Sequence, residues 1–351
     1  MRIAFLTDQK IMGGGERNLL SLTSRLSRTE DVTVFTNSDL LANAFDEKGV
    51  TVRLHPIRSR WLKFIPVRDR SLERELREFD VVHAYSVSTV PALFGHPKAV
   101  WTIHGPWEKP FGGRSIVAER WLKHAIAVST DVMAHCRFRK CPITAIPLGS
   151  LSEDSMIRAS SDPISMTNSS VRIGVLGRFQ FIKGQDLAIK ASRIVAERFP
   201  DKKIVLQMCG SVNDEYKKDV DYFSQIMRDA SSRKIGQLSV EFLSHSNNPL
   251  SFIDEQDLIL VPSRYESFSM TTIEALARGK PVVVPDIGGP KEIIGAREDV
   301  GLMFDPCSAE SIADSITRVL AGHRFNASDS TSRPSLLLAR LMVKVLELSI
   351  F

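Results

Sequence analysis

The stretch VRIGVLGRFQFIKG, residues 171–184, decides how this chain is read. Val171–Leu176 is a short apolar, β-branched run, the pattern of a strand buried on both faces of a parallel sheet. Gly177-Arg178-Phe179 interrupts it, and Lys183-Gly184 leads into Gln185–Phe199. That segment offers Leu187, Ile189, Ala191, Ile194, Val195 and Phe199 to a buried helix face, and Pro200 ends it. Strand, glycine-bearing turn and helix together open a βαβ unit. In open α/β sheets, ligands sit outside the carboxyl ends of the strands, which is where Arg178 and Lys183 fall.

Working outward, the same alternation runs to residue 320. Further strand signals are Ile204–Met208, Val240–Leu243, Leu258–Val261, Val282–Val284 and Leu302–Phe304, with helices at Asp214–Ala230, Met270–Arg278 and Ala309–Leu320. Upstream, strand-like runs lie at Ile3–Leu6, Val32–Thr36, Val50–Leu54, Val81–Ala84, Val100–Ile103, Ile126–Val128 and Thr144–Ile146, with helical segments such as Glu16–Leu26 and Ser71–Phe79 between them. Between the two series, Leu151–Ser170 is rich in serine and poor in large apolar residues, as a domain connection is. The expectation is α/β: two Rossmann-like, doubly wound parallel-sheet domains facing across a cleft. They span residues 1–165 and 166–323, and residues 324–351 form a loop and an apolar helix, Ser335–Phe351, crossing back to the first domain. A length of 351 residues agrees with two domains.

Composition narrows the function classes. Hydrophobic residues are 43% and charged residues 25%, ordinary for a globular protein. No run of 18 apolar residues exists to span a membrane, and the N-terminal apolar run is too short for a signal peptide. Cys136, Cys141, Cys209 and Cys307 show no CxxC spacing, so they read as free thiols in a reducing cytoplasm. No metal-ligand cluster is visible, and Asn168 and Asn326 read as chance sequons. Residues 1–160 hold 23 Lys and Arg against 17 Asp and Glu, and the remainder 23 against 24. The basic first half suggests an anionic partner on that side. No helix-turn-helix, zinc or RRM pattern supports nucleic acid.

Four places carry chemistry, each with a plainer alternative. Gly13-Gly14-Gly15-Glu16-Arg17 opens a helix after the first strand, where glycines let a ligand approach the helix amides; the alternative is a tight turn without a ligand. Arg178 and Lys183 can hold phosphate oxygens, or are solvated charges. Glu266-Ser267-Phe268-Ser269 leads into a helix holding Glu274. Two carboxylates can there clamp hydroxyls while the helix start receives a diphosphate; the alternative is a serine-capped helix with Glu274 on its surface. His104, just past a strand end, can bond a sugar hydroxyl or serve structure only, and His83 reads as structural.

Taken in one register, these motifs resemble the GT4 family of retaining glycosyltransferases, which have the GT-B fold. Gly13–Arg17 resembles its GGxER loop. Leu176-Gly177-Arg178 with Lys183-Gly184 resembles its donor phosphate site, and Val261-Pro262-Ser263 with Glu266 to Glu274 its PS…EX7E signature. Ala275–Val282, Gly288-Gly289 with Glu292-Ile293, and Pro147-Leu148-Gly149 match the surrounding pattern. One departure stands out: Ser267 and Ser269 replace the two glycines of the usual EGFG, which narrows backbone freedom and adds hydroxyls near the donor sugar.

The resemblance implies transfer of a sugar from a nucleoside diphosphate sugar, with retention and without a bound metal or other cofactor. Glu266 would hold the donor sugar and Glu274 the ribose, while Arg178, Lys183 and the helix start neutralise the leaving diphosphate. His104 and Gly13–Gly15 would face the reaction from the first domain. A sugar-nucleotide 2-epimerase and a non-catalytic nucleotide-sugar-binding protein remain as alternatives.

One further stretch, Arg58 to Arg70, mixes Arg58, Arg60, Lys63 and Arg68 with Trp61 and Phe64. It suits an anionic membrane surface or a loop wrapped over the first domain. The first reading implies a glycan or lipid-linked acceptor and a cytoplasmic protein working at the inner face of the membrane.

Overall fold

The structure, a computed structural model, describes residues 1–109, 112–148, 169–244, 248–295, 298–323 and 325. The bulk of the expected domain connection, the boundary at residues 165–166, Gly149, both sequons and the expected helix Ser335–Phe351 lie outside them. The chain divides into two compact units on either side of residue 150.

The first unit is built on seven parallel strands. They are β1 (Arg2–Thr7), β2 (Asp31–Thr36), β3 (Thr51–Leu54), β6 (Val81–Ala84), β7 (Ala99–Ile103), β8 (Leu122–Ala127) and β9 (Ile143–Ala145). A small antiparallel hairpin, β4 (Arg60–Leu62) and β5 (Ile65–Val67), stands apart from the sheet. The order β3-β2-β1-β6-β7-β8-β9 reverses direction between β1 and β6. Helices α1 (Gly14–Leu26), α2 (Asp39–Asp46), α3 (Arg70–Leu76), α4 (Gly113–Ala118) and α5 (Thr130–His135) connect the strands. Ile3, Phe5, Val32, Val34, Val81 and Val100 pack with Leu19 and Leu26 of α1 and Leu41 and Phe45 of α2.

The second unit has six parallel strands: β10 (Ser170–Leu176), β11 (Lys203–Gly210), β12 (Gln237–Ser244), β13 (Leu258–Leu260), β14 (Val282–Pro285) and β15 (Leu302–Phe304). Their order is β12-β11-β10-β13-β14-β15, with the reversal between β10 and β13. The helices are α6 (Gln185–Arg198), α7 (Lys217–Ser232), α8 (Pro249–Asp254), α9 (Met270–Ala277), α10 (Gly288–Ile294) and α11 (Ala309–Leu320). One sheet face packs Ile173, Leu206 and Leu258 against Leu187, Ala191 and Val195 of α6 and Ile312 and Ile316 of α11. The other packs Ile259, Val261, Val282 and Val284 against Ala275 and Leu276 of α9 and Phe252 and Ile253 of α8. Both faces are therefore covered, and this is why these strands read as continuous apolar runs rather than alternating ones.

Each of the thirteen sheet strands overlaps an expected run, least at β8, which shares only Ile126 and Ala127 with the run Ile126–Val128. The hairpin was not expected. None of the described helices is long and apolar enough to cross a membrane. All four cysteines are free; Cys136, Cys141 and Cys209 are buried and Cys307 is exposed.

The turn from β10 to α6 depends on Gly184. Its φ is +69°, a conformation that a residue with a β-carbon adopts at a cost, and a Cβ there would stand 2.0 Å from the Pro262 carbonyl oxygen. Gly184→Ala is expected to lower stability by at least ~2 kcal/mol, from left-handed strain together with displacement of the Pro262 strand end. Urea denaturation of the two proteins checks this; equal midpoints would refute it.

Candidate active site

In the second unit the reversal between β10 and β13 opens a crevice at the carboxyl ends of the strands, where open α/β sheets take ligands. Two loops border it: Gly177–Gly184 after β10 and Val261–Ser269 after β13. Lys183 and Glu266, 83 residues apart in sequence, meet here. The lysine Nζ donates to Glu266 Oε2 at 2.7 Å, and Ser263 Oγ donates to the same oxygen at 3.1 Å. Glu266 Oε1 is left without a partner among the described residues.

The loops are braced from behind. Arg264 forks onto Asp186 at 2.8 and 2.7 Å, donates to the Phe181 carbonyl at 2.6 Å, and lies 3.8 Å over the Phe181 ring. Tyr222 Oη donates to the same Asp186 carboxylate at 2.8 Å. Burial would raise the Asp186 carboxyl; the bonds from Arg264 and Tyr222 outweigh it and hold the group below the ordinary carboxylate range. Arg178 is exposed at the loop mouth with no side-chain partner among the described residues, and its carbonyl accepts from Gln185 Nε2 at 2.8 Å.

The Glu266–Ser269 segment runs straight into α9. Ser269 is its N-cap: its Oγ accepts from the Thr272 amide at 3.3 Å although its own φ is +77°. Phe268 is pressed against Gly289, where a Cβ would come within 2.2 Å of Phe268 Cα, and the Gly289 amide donates to the Glu266 carbonyl at 3.0 Å. Ser267 Oγ is buried with no hydrogen-bond partner among the described residues. Glu274 is on α9 as expected, but it is not a surface residue: only 6% of it is exposed. A buried carboxylate can accept from hydroxyls, while the amides at the start of its helix can receive anionic oxygens.

In the first unit, Gly13 is the N-cap of α1, and its amide donates to Glu16 Oε2 at 3.1 Å. The carboxylate of the helix's own first turn thus sits where an anion was expected. Gly15 has a different use. A Cβ there would lie 3.4 Å from the His104 ring, so the glycine lets α1 approach that histidine. Gly14 is the first helical residue.

His104 follows β7 and packs edge-on to Tyr85, ring centroids 4.7 Å apart. Burial pushes its imidazole down to about 4, against an opposing hydrogen bond at the Tyr85 backbone, so the ring is neutral at ordinary pH. Its Nε2 is buried without a partner among the described residues. A neutral imidazole with one unmet nitrogen is suited to a hydroxyl of a ligand. His83, by contrast, is sealed in the core with Thr102 Oγ1 at 2.7 Å, in keeping with a structural role.

Sequence reasoning did not single out Glu108. It accepts from the His104 amide at 2.8 Å and from the Trp101 indole at 3.1 Å. Nothing at Trp107-Glu108-Lys109 marks this carboxyl as buried. Arg264 and Asp186 were missed for a similar reason, since a contact spanning 78 residues leaves no local pattern.

The hairpin ties two of its expected surface groups to the rest of the unit. Trp61 donates its indole N–H to the Val87 carbonyl at 2.8 Å and stacks on Trp121. Arg68 forks onto buried Glu73, at 2.7 Å through Nε, and lies 4.0 Å over the Phe94 ring. Arg68 is exposed all the same, as are Arg58, Arg60, Lys63 and Phe64.

Comparison with known proteins bears on the family and the fold. Residues 164–330 match the family described as glycosyl transferases group 1, and residues 12–149 match Glycosyltransferase Family 4. The chain is 31% identical over 150 residues to a D-inositol 3-phosphate glycosyltransferase of Corynebacterium aurimucosum, covering 42% of this chain and 34% of that one. It is 31% identical over 195 residues to the mannosylfructose-phosphate synthase of Agrobacterium fabrum, 49% of this chain and 41% of that one. These matches span well under half of either relative. Among solved structures, Anabaena HepE in complex with UDP-glucose superposes with a TM-score of 0.78 at 17% identity, over 99% of this chain and 100% of that one. At that identity the likeness speaks for the fold alone. With both units matched in order along nearly the whole chain, this protein belongs to the group 1, GT4-like glycosyltransferases of GT-B fold.

Proposed function

We propose that this chain transfers a sugar from a nucleoside diphosphate sugar to an acceptor, with retention at the anomeric carbon. The observation that carries the reading is the meeting of Lys183, Ser263 and Glu266 at the crevice between β10 and β13, beside Arg178 and the start of α9. In this reading the diphosphate lies against Lys183, Arg178 and the α9 amides, which take up charge as it departs and do the work of a divalent ion. Glu266, already oriented by two donors, offers Oε1 to the sugar, and Glu274 takes the ribose. The complex of HepE with UDP-glucose makes that nucleotide sugar the first donor to test.

The first unit supplies the acceptor side. His104 is held by Glu108, whose carboxyl both anchors the following loop and is itself pushed up by burial to about 8, against the bonds from the His104 amide and Trp101. The hairpin's exposed Arg58, Arg60, Lys63 and Phe64 favour an acceptor presented at an anionic membrane surface, such as a lipid-linked or surface-glycan intermediate.

Lys183→Ala and Glu274→Ala are each expected to lower UDP-glucose turnover at least ~100-fold, because each removes a charge-assisted contact from a partly desolvated site. Steady-state release of UDP measures this, and near-normal rates in both variants would defeat the assignment. If wild type neither binds nor turns over UDP-glucose, a thermal-shift panel of nucleotide sugars selects the donor by mass action.

The Glu108 carboxyl makes a second prediction. Its folded value lies above the ordinary 4.5, so its contribution to stability is complete below that pH and is lost progressively as pH rises to about 8. His104, held low, acts in the opposite sense, losing its contribution as pH falls below 6.5 toward about 4. Melting temperatures measured from about pH 6 to 9 are expected to decline in wild type and to flatten in Glu108→Gln. The same slope in both proteins would count against a buried, protonated Glu108.

A further inference from the structure

Asp8 is the first residue past β1, and Ser86 lies just past the end of β6. The two strands pair in register, Leu6 beside Ala84, where the strand order of the first sheet reverses. Strand ends at such a reversal border the crevice in which an open α/β sheet takes a ligand. Ser86 is buried, and its Oγ donates to Asp8 Oδ1 at 2.7 Å. Gln9 Nε2 makes a longer contact, 3.5 Å, with the same oxygen. Asp8 Oδ2 has no partner among the described residues, and the residue is half-buried rather than sealed.

The neighbouring strand end supplies a second unmet acceptor. His104 follows β7, which pairs with β6 on the side away from β1. The Tyr85 amide is taken by the Leu6 carbonyl at 2.8 Å, so the bond between the His104 ring and the Tyr85 backbone runs to the Tyr85 carbonyl. The ring therefore donates through Nδ1, and the buried Nε2 carries the lone pair. Glu16 stands in the first turn of α1, the helix that approaches this ring at Gly15. The charges of Asp8 and Glu16 add to burial in raising the Glu108 carboxyl, which holds the His104 amide. Three carboxyl groups thus gather at this end of the sheet, although Lys and Arg outnumber Asp and Glu over residues 1–160.

We infer that Asp8 is a specificity-determining residue for the acceptor, its free oxygen receiving a hydroxyl of an uncharged sugar or polyol. The inference rests on the transferase reading above. An ionised carboxylate accepts hydrogen bonds and donates none, so it favours a ligand hydroxyl and repels an anionic group in the same place. His104 Nε2, with its lone pair, makes the same demand. Ser86 holds one carboxylate oxygen and thereby fixes the direction in which the other points, so the hydroxyl meets an oriented partner. Attraction for one ligand and repulsion of another act together on the choice.

The test compares acceptors that differ in charge: methyl glucoside and methyl galactoside against methyl glucuronide and methyl galacturonide. Each is supplied to the full chain with UDP-glucose, or with the nucleotide sugar that the thermal-shift panel selects, and the glycoside product is followed. The wild type is expected to use at least one neutral glycoside with kcat/KM at least ~10-fold above that of its uronide. In Asp8→Asn the amide oxygen keeps the Ser86 bond, while an N–H replaces the free oxygen. The neutral-to-uronide ratio is expected to fall at least ~10-fold, with UDP affinity at the wild-type value showing that the chain is folded. A purely structural role would lower both rates together and leave the ratio where it was. Ser86→Ala, which loosens the carboxylate and keeps its charge, is expected to raise KM for the neutral glycoside and preserve the preference for it. An unchanged ratio in Asp8→Asn would overturn the inference, as would a wild type that uses uronides as readily as neutral glycosides or uses neither. A wild type that neither binds UDP nor turns over any nucleotide sugar would instead overturn the transferase reading.

Discussion

The ion pair between Lys183 and Glu266 is the contact around which the loops at the second unit's crevice are arranged. It exists because two loops from opposite sides of the sheet reversal are forced together. Gly184 lets the first loop lie directly on the Pro262 carbonyl, and Arg264 locks onto Asp186 behind it. The pair is half-buried rather than sealed, so desolvation does not cancel its Coulomb attraction. It is also incomplete by design of its geometry. Ser263 and Lys183 crowd one carboxylate oxygen and leave the other, while the ammonium retains donors for a second anion. A ligand can therefore enter without first breaking the bond that orients Glu266.

The first unit solves a different problem, that of keeping a histidine neutral and fixed. Packing against Tyr85 and the close approach of α1 at Gly15 remove water from the ring. Glu108 fixes the chain at His104 through its amide rather than its ring, which leaves Nε2 unmet. A carboxylate bonded to the ring would have favoured the imidazolium; the Glu108 carboxyl, bonded to the backbone, steadies position without adding that bias.

How much of this was legible in the sequence follows from the range of each interaction. The sheet strands were visible because strands covered on both faces need apolar residues at every position, and residues such as Ile173, Leu206 and Val283 supply them locally. Short helices such as α2, α4, α5, α8 and α10 contain few turns in which to show a period, although α3 and α9, of like length, were expected. The hairpin escaped because its tip places Lys63 in the left-handed region, where Asn or Gly is the usual signal. Of the site, Lys183, Glu266 and Glu274 were readable from their spacing, and the structure joins the first two directly. Arg264, Asp186 and Glu108 were not, since only the fold decides that an Arg and an Asp 78 residues apart will meet, or that one carboxyl among many is buried.

The two serines that replace glycines illustrate how a local rule can be overridden. Serine at position 269 was expected to narrow the backbone's freedom, yet the residue takes φ +77°, the region a glycine would use. The strain is of order 1–3 kcal/mol. The N-cap bond to the Thr272 amide returns about 1 kcal/mol, and the Ser269 and Thr272 hydroxyls bond each other at 2.7 Å. The loop therefore follows a glycine-like path in spite of its side chains. What changes is polarity, and unequally: the Ser269 hydroxyl is consumed by the cap, whereas Ser267 Oγ is buried with nothing to bond. An unmet buried hydroxyl costs about 1–3 kcal/mol, a cost that a ligand group bonding it would remove. Of the two replacements, Ser267 is thus the one that keeps hydrogen-bonding capacity to offer.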